Sequence, residues 1–280
     1  MYAFVHIEKT AGSCWNTILR RSIGSRHCDV RLPLAKRRLD NRDHKVCVDA
    51  TDLRRVRRLY RNLRGIAGHN VKAYADLHVE CPQIQFFTIL RNPERRLRSH
   101  FLNRSSYQSV EAFDGWISGE WTHNWQTKMI AGEANAQKAI DLLGERFGFV
   151  GLTEHFDESL VMFGQWLGEP GFRAEYRRVN QLSEKRRARD LAREQTDMSY
   201  LDSERTRARM REANREDEKL YDFVATHVYP QQIAAYRGDL AADVEKLQRR
   251  NRATHALVEP VWGSFMRNYV YKPLLHCHAL

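Results

Sequence analysis

The segment Phe4–Leu19 passes from a short apolar strand, through a tight turn of small residues, into a helix with an apolar stripe at Trp15, Ile18 and Leu19. A turn of this kind is a phosphate cradle, because it presents backbone N–H groups and the positive end of a helix dipole. Lys9 adds a point charge, and Thr10, Ser13 and Asn16 add side-chain donors. The order differs from the GxxxxGK[ST] loop of nucleoside triphosphatases, since here the lysine precedes the glycine.

A second segment, Gln85–Phe101, again runs from strand into helix, with Pro93 suited to the first helical turn. Arg91 then sits at the carboxyl end of a buried strand, and Ser99, two turns on, can face the same side. Ligands gather at those strand ends in an open α/β sheet, and a guanidinium fork with a hydroxyl suits a phosphate. Gly65–His69 reads as a third strand ending in the cleft and Gly148–Leu152 as a fourth. Lys45–Val48 reads as one more short strand. Helices are expected from about Thr51 to Leu63, Val110 to Ile117, Ala136 to Phe147, Phe156 to Leu167, Glu216 to His227 and Ile233 to Leu247. Strands alternating with helices predict an α/β fold, a P-loop-like parallel sheet flanked by helices with further helices at the C-terminal end.

Both phosphate segments resemble the nucleotide-binding signatures of carbohydrate sulfotransferases that use 3′-phosphoadenosine 5′-phosphosulfate. Lys9-Thr10-Ala11-Gly12-Ser13 is similar to the 5′-phosphosulfate loop of that family, and Arg91 with Ser99 to its 3′-phosphate site. The likeness continues through Gly68-His69, Asn124–Lys128, Phe149–Glu154, Asn180 and Asn214 to Tyr221, in order, and looks closest to the uronyl 2-O-sulfotransferase branch. Glu8 stands where that family usually has proline, Cys14 where it has Ser or Thr, and Asn92 and Arg95 where it has acids.

The resemblance implies transfer of a sulfonate to a hydroxyl of a carbohydrate or glycan, leaving adenosine 3′,5′-bisphosphate, with no metal. His69 is the expected base and Lys9 the group that neutralises the departing phosphate. Lys9, Thr10, Ala11, Gly12, Ser13, Cys14 and Trp15, with Arg91, Ser99, Thr153 and Asn180, are the expected donor-site residues. Asn124, Gln126 and Lys128 are expected at the acceptor, or else in a helix surface or buried polar network. Glu8 is a weaker candidate for the base, and His6 reads as a core histidine.

Composition narrows the remainder. A net charge of +11 over 280 residues predicts an anionic partner, an acidic glycan among them. The aromatics fall in apolar stripes rather than among the basic residues, which argues against nucleic acid. The arginine-rich face of the helix after Thr51 reads as a solvated surface or a landing face for a polyanion. Five scattered cysteines lack CxxC spacing and indicate neither a disulfide framework nor a zinc site. No run is apolar and long enough to span a membrane, and the first strand begins close to Met1. A bacterial cytoplasmic enzyme is therefore expected, with the lumenal catalytic domain of a Golgi enzyme as the alternative.

A single domain over 1–280 is expected, in which 183–215 is a charged helical or flap segment outside the core. Two other readings stay open. A P-loop kinase or NTPase would need a carboxylate where Arg91 stands, and a non-catalytic protein on the same fold would bind anionic glycan only.

Overall fold

The structure is a computed structural model that describes residues 1–30, 44–60, 62–104, 109–176, 199–253, 261–271 and 273–274. Among the described residues the fold is α/β. Five strands, β1 (Tyr2–Val5), β2 (His27–Asp29), β3 (Gly65–Gly68), β4 (Gln85–Leu90) and β5 (Phe147–Leu152), form one parallel sheet in the order β2-β3-β1-β4-β5. Val5 is in register with Gly68 on one side and Thr88 on the other, and Leu90 with Leu152. The carboxyl ends of four neighbouring strands therefore open onto one edge. The chain leaves β1 toward β2 and returns across it to β4, so the strand order reverses at β1, the position where open α/β sheets bind ligands.

Apart from β2, whose His27 and Asp29 are polar, the strands are short and mainly apolar runs, as parallel sheets buried on both faces require. Phe4 and Phe87 stack at 4.5 Å between ring centroids, and Phe87 also meets Phe163 at 4.6 Å. Helix α1 (Gly12–Ile23) follows β1 directly and lays Trp15, Ile18 and Leu19 into this core. Helices Val110–Ile117 and Phe156–Leu167 occupy the expected ranges.

Several expectations are corrected. Lys45–Val48 is not a strand; it is irregular, and Val48 N–H donates to the Asn70 carbonyl at 2.8 Å. The edge strand is instead His27–Asp29, only three residues long, with Cys28 buried against the sheet. The helix expected from Thr51 to Leu63 is α2 (Ala50–Leu59). Asp49 caps it by accepting from Asp52 N–H at 2.8 Å, and on its basic face Arg54 and Arg57 pair with Glu80. The stretch expected to be helical from Ile233 to Leu247 breaks after Ala234 and restarts at Leu240, where Asp239 accepts from Ala242 N–H at 3.0 Å.

The charged segment is partly core. Leu201, Met210 and Ala213 are buried with Leu97, Phe101, Phe113 and Ile117 in a second apolar cluster. Residues 183–198 lie outside the described residues. Among the described residues no helix is long and apolar enough to cross a membrane.

Candidate functional site

The loop leaving β1 is bent by two non-glycine residues in the left-handed region, Lys9 at φ 69° and Ala11 at φ 64°. Each conformation costs about 1–2 kcal/mol for an L-residue, and such strain concentrates where backbone direction serves function. The amides of Cys14 and Trp15 donate to the Ala11 carbonyl at 2.9 and 3.3 Å and close the turn. Helix α1 has no side-chain cap among the described residues and no acidic residue in its own first turn, so its first turn brings no negative charge to the positive helix end.

Gly12 is expected among the donor-site residues of the loop. It is helical, and its service is space: a Cβ there would lie 2.0 Å from Cδ2 and Nε2 of His6. His6 follows β1, and its buried ring lies at 4.1 Å from the ring of His69. The Asn16 amide nitrogen stands 3.4 Å from His6 Nδ1, so Asn16 faces this ring rather than the loop. Burial first, and then the charge of His69, hold His6 well below the usual histidine range, so it is neutral.

Thr10 is buried, and its hydroxyl donates to the Ile7 carbonyl at 3.0 Å, so that proton braces the turn instead of pointing at a ligand. Trp15 is corrected outright. Its ring is fully buried and edge-on to Phe163 at 4.8 Å, which makes it a core anchor. Cys14 is a buried thiol outside any disulfide.

Lys9 and Arg91 meet at the switch point. Arg91 Nη1 donates to the Lys9 carbonyl at 3.0 Å. Both cations are pushed below their usual ranges, Lys9 by burial and then by Arg91, Arg91 by burial and then by Arg95 against the opposing pull of Glu154. Lys9 has no ion-pair partner among the described residues. Two partly desolvated cations beside a helix N-terminus suit a multiply charged anion.

His69 follows β3, and its side chain is 39% exposed. Its Nδ1 is 2.7 Å from the His6 carbonyl oxygen. A carbonyl only accepts, so Nδ1 carries the proton of the neutral ring and Nε2 presents the lone pair. Glu8 Oε1 is 3.6 Å from the same Nδ1, and Glu8 Oε2 accepts from the Trp125 indole N–H.

Gln126 and Asn124 prove to be framework. Gln126 is fully buried; its Oε1 accepts from Arg91 N–H at 2.9 Å and its Nε2 donates to the Arg91 carbonyl at 2.8 Å, which clamps the backbone that carries the guanidinium. Behind it, buried Asp217 accepts from the amides of Gln126 and Thr127 at 3.0 and 2.7 Å and from the Thr127 hydroxyl at 2.7 Å. Asn124 Oδ1 accepts from the amides of Glu216 and Asp217 at 2.8 and 3.3 Å and so caps helix Arg215–Phe223. Lys128 Nζ donates to the Glu120 carbonyl at 2.9 Å.

Thr153, expected at the donor, sends its hydroxyl proton to the Leu90 carbonyl at 3.0 Å. The adjacent Glu154 accepts from Asn92 N–H at 3.1 Å and from the Tyr221 hydroxyl at 3.1 Å. Asn92 in turn accepts from Arg95 N–H at 3.1 Å, capping helix α4 (Pro93–Arg104), on which Ser99 is half-buried. Asn180 lies outside the described residues.

The structure thus brings Lys9, Ala11, Gly12, Arg91 and His69 to one edge and sets Trp15, Gln126 and Asn124 behind it. The pairing of Glu8 with His69 had no local signature, because the two residues stand on different strands' ends. No protein-family model matches the sequence, and no curated protein matches it.

Proposed function

We propose that the chain is a sulfotransferase that moves a sulfonate from 3′-phosphoadenosine 5′-phosphosulfate to a hydroxyl, with a carbohydrate as acceptor. The observation that carries this reading is the Arg91–Lys9 contact: two half-buried cations, on neighbouring parallel strand ends, with a helix N-terminus beside them and, among the described residues, no carboxylate paired to Lys9. The strand order with its reversal at β1 is consistent with a P-loop-like sheet and supports the same assignment.

The donor fits these residues because it carries two phosphate groups at separate positions. Lys9 and the first-turn amides from Ala11 to Ser13 receive the 5′-phosphosulfate, and Arg91 with Ser99 receives the 3′-phosphate. His69 Nε2, unprotonated in the neutral tautomer that the His6 carbonyl selects, takes the acceptor's proton. The acceptor oxygen bonds to sulfur, the bond from sulfur to the 5′-phosphate oxygen breaks, and its electron pair stays on that oxygen beside Lys9. Positive charge placed where negative charge develops lowers the barrier. The net charge of +11 favours an anionic glycan as acceptor.

Calorimetry with adenosine 3′,5′-bisphosphate, and ATP as control, tests the reading in wild type, Lys9→Ala and Arg91→Ala. Binding that prefers the 3′-phosphorylated nucleotide and falls in both variants supports it. A magnesium-dependent preference for ATP overturns it in favour of an NTPase.

A further inference from the structure

We propose that Glu8 positions His69 and sustains its charge once the ring has taken a proton; the inference rests on the sulfotransferase reading for the reaction that the ring serves. Glu8 is held from several sides. Its Oε2 accepts from the Trp125 indole N–H, its Oε1 lies 3.6 Å from His69 Nδ1, and its side chain is only 14% exposed. Buried Arg96 acts electrostatically on both Glu8 and Asp217; its Nη2 donates to the Thr122 carbonyl at 3.5 Å, while among the described residues its Nε and Nη1 have no hydrogen-bond partner.

The geometry separates the two sides of the His69 ring. Nδ1–H faces the His6 carbonyl at 2.7 Å and the Glu8 carboxylate, while Nε2 is the basic nitrogen. When Nε2 accepts a proton, the resulting imidazolium meets a carbonyl dipole and a carboxylate on the Nδ1 side, both of which favour it over the neutral ring. The other neighbour, His6, lies tilted against the ring at 4.1 Å between centroids and stays neutral, so it adds no competing charge. Glu8 is not the base itself, because it meets the ring on the side opposite the nitrogen that receives the proton. Among the described residues Glu8 is the carboxylate that lies against the His69 ring.

The test compares Glu8→Gln, an isostere that can still accept from Trp125, and Glu8→Asp with wild type. The first readout is the imidazole ¹⁵N spectrum of His69, which needs no substrate. Wild type is expected to show one Nδ1–H tautomer in the neutral ring. Glu8→Gln is expected to move the Nδ1 resonance and to raise the Nε2–H tautomer of the neutral ring by at least twofold, with Glu8→Asp between the two. The second readout is sulfonate transfer to a desulfated uronic-acid polysaccharide, for which Glu8→Gln is expected to lower kcat about 10²-fold with the donor KM within about threefold.

An unchanged His69 spectrum in Glu8→Gln overturns the inference, as does loss of adenosine 3′,5′-bisphosphate binding in that variant, which would make Glu8 a part of the loop scaffold. A shifted spectrum in a wild-type protein that binds no such nucleotide leaves the pairing standing and overturns the sulfotransferase reading instead.

Discussion

The Arg91 guanidinium reaches across from β4 and donates to the carbonyl oxygen of Lys9 at 3.0 Å. The contact uses one limb of a planar fork and fixes the other donors relative to the Lys9 loop. A lysine at this position would keep the charge and lose the fork. Arg91→Lys is therefore expected to weaken adenosine 3′,5′-bisphosphate binding about tenfold by calorimetry while leaving the thermal midpoint nearly unchanged.

The Gly12 position admits no side chain while His6 is in place, since a Cβ would sit 2.0 Å from the imidazole. Gly12→Ala must displace either the ring or the first turn of α1, at a cost of about 2 kcal/mol or more. His6→Ala in the same chain should recover much of that loss. A double-mutant cycle in urea measures it, and strict additivity would refute the clash.

Gln126 makes both of its backbone hydrogen bonds to Arg91 from a fully buried position. Gln126→Leu keeps the volume and orphans one donor and one acceptor, each worth about 1–3 kcal/mol. Global stability should fall by about 2–4 kcal/mol, and nucleotide affinity should fall further than in Thr153→Val, which loses one hydroxyl contact to Leu90.

His6 gives the stability a pH dependence of known sign. In the native state it is held well below its unfolded value of 6.5 by burial and by the His69 charge. As pH falls through 6.5 the unfolded chain binds a proton that the native chain does not, so stability declines until the native pKa is reached. Urea midpoints from pH 7.5 to 5 should show wild type losing up to about 1.4 kcal/mol per pH unit more than His6→Gln.

Ala11 pays for its left-handed conformation at φ 64°, ψ 15°. Ala11→Gly relieves about 1–2 kcal/mol of strain and loses about 0.5–1 kcal/mol to the greater freedom of the unfolded chain. The net expectation is a gain of up to about 1 kcal/mol, read as a raised thermal midpoint with nucleotide binding retained.

The parts of the fold that were legible in the sequence are those with long apolar periodicity or a strand running straight into a helix. Val110–Ile117, Phe156–Leu167 and the strand containing Phe86 to Leu90 are of this kind. Lys9, Arg91 and His69 were legible as a group because each follows a strand, and parallel strands align their ends. His27–Asp29 was not, since three residues, two of them polar, carry no period, whereas Val46 and Val48 imitate one. Gln126 and Asn124 show why a polar residue in a motif need not touch a ligand: their amides satisfy backbone groups of Arg91 and of helix Arg215–Phe223. Met210 and Leu201 were hidden by the charged residues around them, as two apolar side chains suffice to dock a helix that is otherwise solvated.

The central position of β1 has a cost during synthesis. Tyr2 is made well before its partners in the sheet, Gly65 and Gln85, which lie 63 and 83 residues further along the chain. At about 5–20 residues per second, the apolar stretch Tyr2–Val5 waits for several seconds with both edges unpaired. Pairing over such separations also makes folding slow compared with helical proteins of similar size. During that interval the unpaired strand edges are open to association with other chains, which the finished sheet closes by pairing β1 on both sides.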